Sequence, residues 1–578
     1  MRSITWSLDG QNCKSTISGR GCRCLARRET LGPADLAGLS SHPMHVNAHR
    51  ATLAHLAAGL LILMLSACGG GGGGGSSAPP PPSATTPTPD PAQTDFQSGI
   101  FRDAREYEAL CLAPRAGTSD LQGTTEDENN WLRAWSHDLY LWYDEIIDED
   151  PAAFETPAYF DLMQTFQTTQ TGAPKDNFHF TQDTAAFQQL INSGIQAEYG
   201  FDWEWIRNSP PREAVIVYVQ SDTPAASVGL ERGDRILEID GESLVDGNDA
   251  DTLNSGLFPD SGTTHDFVVA RADGSNQRAV TVTAVELALE PVPISEIIST
   301  PQGAVGYLFL ISYIDPAEQA LFNTLSSFAA AGITELIVDV RYNRGGLLDI
   351  ANELSYMIAG PTATEGRTFG ELIFNDKYPD FNPVTNAPLG PDGFLSTAQG
   401  FSVSSGTPLP TLNLSRVHFL VGASTASANE FAINGLRGID FEVILVGEKT
   451  TGKPFGFYPT DNCGTTYFSI QFQTVNEKGF GGFSQGFVPT ERPVLEYEVQ
   501  GCPVVDDYET ALGNENEARL STALGLIAGQ DCAAATPSGS ISYDVAARTI
   551  TQSVDAQSEQ TIRLNAKRDL GTLLTAPR

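Results

Sequence analysis

Four mostly apolar runs punctuate the second half of the chain: Gly303–Ile314 (GAVGYLFLISYI), Leu336–Val340 (LIVDV), Arg416–Gly422 (RVHFLVG) and Phe441–Gly447 (FEVILVG). None alternates polar with apolar positions, so each reads as strand buried on both faces, and the first is long enough to be expected as a strand pair. Between them lie helical patterns, PAEQALFNTLSSFAAAG from Pro316 and ANEFAINGLRG over Ala428–Gly438. Strands alternating with helices predict a layered α/β domain whose neighbouring parallel strands end on one edge.

Upstream the pattern changes. Residues 191–290 hold short strands, as in REAVIVYVQ and DRILEI, and residues 99–190 carry Trp131, Trp135, Tyr140 and Trp142 near helical spacing. Such an aromatic stripe predicts the core of a small helical domain. A chain of 578 residues exceeds one core, so the expected fold class is multidomain α+β. The expected boundaries are a signal region (1–67), a tether (68–98), a helical domain (99–190), a β domain (191–290), a catalytic core (291–530) and a polar tail (531–578).

Candidate chemistry gathers in Val421–Lys453. Ser427 stands among small residues at a strand-to-helix turn, where serine serves equally well as a helix N-cap. Lys453 follows the strand FEVILVG and a turn rich in Gly and Thr, so the two side chains can converge on one sheet edge. A neutral, desolvated lysine beside a serine is a base beside its nucleophile. A third element, LIVDVRYNRGG, ends in Gly345-Gly346, either an ordinary turn or backbone N–H groups open to an oxyanion. Ser424 with Lys449 is a second possible pair. His418 offers a serine–histidine alternative, although no G-x-S-x-G elbow surrounds the serine.

Three ordered motifs resemble the C-terminal processing peptidase family, also called tail-specific proteases: Asp339 to Gly346 (DVRYNRGG), Thr425 to Glu430 (TASANE) and Gly447 to Lys453 (GEKTTGK). The resemblance implies a crotonase-like layered peptidase core. It also implies that Ser427 is the nucleophile, Lys453 the general base, and Ala428 with the Gly345-Gly346 turn the oxyanion holder. Thr425 and Asn429 depart from the family's outer serines, and Phe457 stands where many members carry a glutamine that orients the lysine.

The stretch from Arg212 to Leu244, with Thr223-Pro224-Ala225-Ala226, Gly233-Asp234 and Ile239-Asp240-Gly241, resembles a PDZ domain. Tyr199, Gly200 and Phe201 are similar to the loop with which such domains receive a terminal carboxylate. Its chemistry would be strand addition at an open sheet edge; the alternative is a PDZ fold that packs or gates.

Composition adds the setting. The formal net charge of −37 repels nucleic acid. The run Leu56–Cys68 ends in Leu-Ser-Ala-Cys, as bacterial lipoprotein signals do, so lipid on Cys68 is expected, with a plain signal peptide or short anchor as the alternative. Met44 would give a signal of usual length. Gly69 after the cysteine leans toward an outer-membrane lipoprotein facing the periplasm, and Gly69–Asp95 reads as a flexible tether. Cys111, Cys463, Cys502 and Cys532 remain for two disulfides or for buried thiols. Three pairings are open; Cys463–Cys502 with Cys111–Cys532 is the expected one. No cofactor motif or metal-ligand spacing is present. The expected function is a lipid-anchored serine endopeptidase acting on protein or peptide substrates, recognised by their C-terminal tails; a catalytically inactive peptide-binding protein is the alternative.

Overall fold

The computed structural model describes residues 96–169, 172–532 and 572–573. The signal region, the Met44 start, Cys68, the tether through Asp95 and the tail from 533 onward, apart from Thr572–Leu573, lie outside them. Every described residue belongs to one compact unit. Among the described residues no helix is long and apolar enough to cross a membrane.

Helix α1, Thr125–Leu139, opens on a reciprocal cap: Asp127 N–H donates to Thr124 Oγ1 at 3.1 Å and Thr124 N–H to the Asp127 carboxylate at 2.9 Å. Its Trp131 and Trp135 stack at 5.3 Å and press on Tyr467, so the aromatic stripe is core. The region is not wholly helical. Phe180–Asp183 is a strand paired antiparallel with Thr465–Phe468, joining this end of the region to the larger body.

Next comes an antiparallel sheet in the order Arg278–Thr283, Thr264–Ala270, Arg235–Ile239, Glu213–Val219, Phe201–Arg207. It wraps a core of its own that includes Tyr199, Phe201, Trp203, Ile216 and Phe267. Phe201–Arg207 is one of its two edge strands, Arg278–Thr283 the other.

The largest sheet has seven strands: β1 (Ile294–Thr300), β2 (Gly303–Phe309), β3 (Glu335–Asp339), β4 (Arg416–Val421), β5 (Glu442–Gly447), β6 (Val488–Thr490) and β7 (Glu498–Pro503). The order is β1-β2-β3-β4-β5-β7-β6, parallel throughout except β1 against β2. Gly303–Ile314 is therefore one strand rather than a pair. Beyond Phe309 the Leu310 N–H turns to Asp339 O at 2.9 Å and the chain bends toward a helix.

Side chains alternate between two buried layers, which is why these runs are apolar throughout. Val417, Phe419 and Val421 pack with α2 (Asp315–Ala331), α3 (Leu348–Ala359) and α4 (Ala428–Gly438), while Leu420 faces α5 (Ala518–Ile527). Val215 and Val217 of the preceding domain seal that second layer. The strand Thr572–Leu573 pairs in parallel with Gly346–Leu347.

The disulfides are Cys111–Cys463 and Cys502–Cys532, not the expected pairing. Cys463 sits at the turn between Thr460–Asn462 and Thr465–Phe468, the hairpin that meets the amino-terminal region, while Cys502 lies on β7 and meets Cys532 beyond α5. Partner choice follows this packing, which spacing does not encode.

Candidate active site

Ser427 links β4 to α4 with φ 60° and ψ −117°, a conformation a residue bearing a Cβ seldom adopts. Strain of this kind survives only where neighbours over-determine it. The determinant is Glu430, fully buried one turn into α4. Its Oε2 accepts the N–H of Ser427 at 3.0 Å and of Lys453 at 2.8 Å, and its Oε1 accepts Gly452 N–H at 2.8 Å and the Thr450 hydroxyl at 2.5 Å. Four donors thus tie the serine turn to the lysine turn. Gly452, at φ 91°, permits this, because a Cβ there would lie 2.5 Å from Ser484 O and Gly486 N.

The Asn343–Gly346 turn closes on the same serine. A Cβ at Gly345 would lie 2.8 Å from Ser427 Cβ and 3.2 Å from Ala428 N, so only glycine admits this approach. Gly345 N–H donates to Asn343 Oδ1 at 2.8 Å. Of the expected oxyanion donors, Gly345 therefore spends its N–H within the turn, while Gly346 pairs with Thr572 and Ala428 opens α4 beside Ser427.

Residues that looked like departures are braces. The Thr425 hydroxyl donates to Val340 O at 2.8 Å and accepts Gly422 N–H at 2.9 Å, while Asn429 Nδ2 donates to Asn343 O at 2.8 Å and Ala426 O at 3.1 Å. Both stitch the serine turn to the glycine turn.

Lys453 is 1% exposed. Its Nζ stands 4.5 Å from the ring centroid of Phe457 and 4.7 Å from that of Phe178. Phe178 belongs to the amino-terminal region, and no periodicity or motif in its surroundings signals this position. Lys449, by contrast, is exposed, which does not suit a desolvated base. His418 is buried mid-strand; alternation sets it with Leu420 on the α5 face, away from α4, and burial with Arg416 nearby lowers its pKa to about 4.

Tyr199 is a core residue of the antiparallel domain, its hydroxyl donating to Gly256 O at 3.0 Å. Gly200 and Phe201, the latter also part of that core, line a cleft with Tyr218, Ser312, Arg344 and Gly345, so this loop and the glycine turn share one concave surface. Arg344 spans it, donating to Glu204 of the edge strand at 2.9 Å. Behind the glycine turn, α3 carries Glu353. Burial, with Glu318 beside it, pushes the Glu353 carboxyl up to about 9, and both carboxylates accept Gln399 N–H at 2.8 Å.

Comparison with known proteins follows the same division. The peptidase family S41 model matches residues 304–460, and a PDZ-domain model matches 215–254. A carboxyl-terminal-processing protease of Picosynechococcus sp. is 27% identical over 305 residues, 50% of this chain and 64% of that protein. The carboxy-terminal processing protease CtpB of Bacillus subtilis is 27% identical over 219 residues, 36% of this chain and 43% of its own length. The chain thus spans less than two thirds of these relatives. A solved S41 protease from Bacteroides fragilis shares the fold at a TM-score of 0.50 and 22% identity, covering 69% of this chain and 97% of that one. The S41 match spans the three motifs, and the multidomain α+β architecture with a PDZ domain is as expected.

Proposed function

We propose that this chain is a serine endopeptidase that acts on protein or peptide substrates through a Ser427/Lys453 dyad. The observation that carries the reading is Glu430, which hangs both residues' backbones from one carboxylate while Gly345 abuts Ser427. Ser427 Oγ attacks the scissile carbonyl carbon and its proton passes to Lys453 Nζ. The N–H groups of Ala428 and Gly346 hold the oxyanion. As the C–N bond breaks, Lys453 gives the proton to the departing amine; it then activates the water that hydrolyses the acyl ester.

Substrates are recognised by their carboxyl ends, captured by strand addition along Phe201–Arg207 with Gly200 at the terminal carboxylate. The protein is a lipoprotein of the bacterial envelope, anchored through Cys68 and facing the periplasm from the outer membrane. The sequence from Leu56 to Gly69 supports that placement.

The test is proteolysis of tagged proteins differing only at their carboxyl termini, with Ser427→Ala and Lys453→Ala as controls. Each variant should abolish cleavage while keeping the fold; full activity in either sinks the dyad. Failure of the unchanged protein to react with a serine-directed phosphonate, with peptide binding retained, would favour a binding protein instead.

A further inference from the structure

Lys453 is met by aromatic faces from two distant parts of the chain. Phe457 follows it by four residues and is fully buried, wedged by Phe468 at 5.5 Å and Phe180 at 6.1 Å. Phe178 comes from 275 positions upstream and is held from behind. Its N–H donates to Asp176 Oδ1 at 2.8 Å, and Asp176 Oδ2 accepts the buried Tyr140 hydroxyl at 2.8 Å.

Tyr140 is in turn pinned to the catalytic body. Its carbonyl accepts Asn375 Nδ2 at 3.0 Å, and Leu141 N–H donates to Ile470 O at 2.8 Å. Trp142 packs edge-on against Phe455 at 5.0 Å, two residues past the lysine. A continuous chain of contacts therefore runs Tyr140, Asp176, Phe178, Lys453. Its members are placed by ordinary hydrogen bonds and packing.

We propose that Phe178 and Phe457 form an aromatic clamp that positions the Lys453 amine, making the amino-terminal region part of the active site. The proposal rests on the dyad reading above. Lysine reaches its amine through a flexible four-carbon stem, and two ring faces narrow its directions at little hydrogen-bonding cost. Ring faces also attract the ammonium that exists between taking the serine proton and giving it to the leaving amine. The clamp therefore acts on the charged, proton-carrying form. The carboxylates in these contacts are Glu430, which takes the Lys453 N–H, and Asp176, two residues before Phe178; neither is altered in the test.

The full chain is compared with Phe178→Leu, Phe457→Leu and Phe178→Tyr on a tagged protein substrate, following kcat, KM and the pH dependence of kcat. Each leucine variant is expected to lose roughly tenfold or more in kcat with KM changed less than about twofold, as for a displaced base. The acidic limb should move to lower pH by about one pH unit, because the ammonium loses a ring face. Phe178→Tyr, which keeps the face, should retain most of the rate. If Leu lowers the folded yield, Phe178→Met supplies reach without a ring and is read the same way. Leucine variants with unchanged kcat and an unmoved limb overturn the clamp, as does a rate loss that tracks thermal stability with no limb shift. Should Ser427→Ala or Lys453→Ala stay active, the dyad itself fails, and that outcome is distinct because it needs neither phenylalanine.

Discussion

Ser427 and Lys453 share one hydrogen-bond acceptor: Glu430 Oε2 takes the backbone N–H of the first at 3.0 Å and of the second at 2.8 Å. Their separation is thus fixed through main chain, before either side chain is considered. Glu430→Gln turns an amide N–H₂ toward two of the four donors that now point at a carboxylate. The expected cost is about 2–4 kcal/mol of stability, with kcat falling at least about 100-fold as the two turns drift apart. Thermal unfolding and steady-state kinetics on the same preparation check both; a variant with near-normal kcat would refute the positioning argument.

Thr425 separates hydroxyl from shape. Thr425→Val leaves the Gly422 N–H without its partner and removes one of two donors from Val340 O, which keeps the Asn343 N–H at 3.1 Å; it should cost about 1–2 kcal/mol, whereas Thr425→Ser keeps the bridge and should be close to neutral. Urea unfolding midpoints distinguish the two; equal stability of both variants would remove Thr425 from the site's bracing.

The Arg344–Glu204 pair crosses from the glycine turn to the edge strand of the PDZ domain, and both partners are largely buried. A double-mutant cycle with Arg344→Ala and Glu204→Ala should give a coupling of about 1 kcal/mol in kcat/KM for a tailed substrate. Additive losses would mean that the pair holds the domains without linking them to turnover.

Glu353 predicts a pH signature. Its folded pKa, about 9, lies above the ordinary glutamate value of 4.5. The stability it contributes is fully present below about pH 4.5 and is lost as pH rises toward 9, by about 1.4 kcal/mol per pH unit. Glu353→Gln, which mimics the protonated acid, should flatten that decline, so its advantage in melting temperature should widen between pH 6 and pH 9. Parallel curves for the two proteins would rule Glu353 out as the cause.

The parts of the molecule legible in sequence are those governed by local pattern. Helix α4 spans Ala428–Gly438 as its periodicity predicts, and β4 and β5 follow their apolar runs. The backbone N–H groups of Ser427 and Lys453 meet at one carboxylate. What stayed hidden depends on packing between distant segments. Phe178 lies in a stretch without motif or period, the cysteine partners are chosen by a hairpin meeting the amino-terminal region, and Gly345 gives its N–H to an asparagine two residues away. Tyr199, placed by motif at the peptide loop, is claimed by the core because its ring and hydroxyl are both satisfied inside.

The Cys111–Cys463 bond ties the two sides of the site together covalently. It closes a loop of 352 residues between the segment that leads to Phe178 and the hairpin that follows Lys453. In the chain-entropy picture a closure of that length restrains the unfolded chain by about 5–6 kcal/mol. With the thiols reduced that restraint is absent, and the aromatic partner of the lysine is held by hydrogen bonds and packing alone.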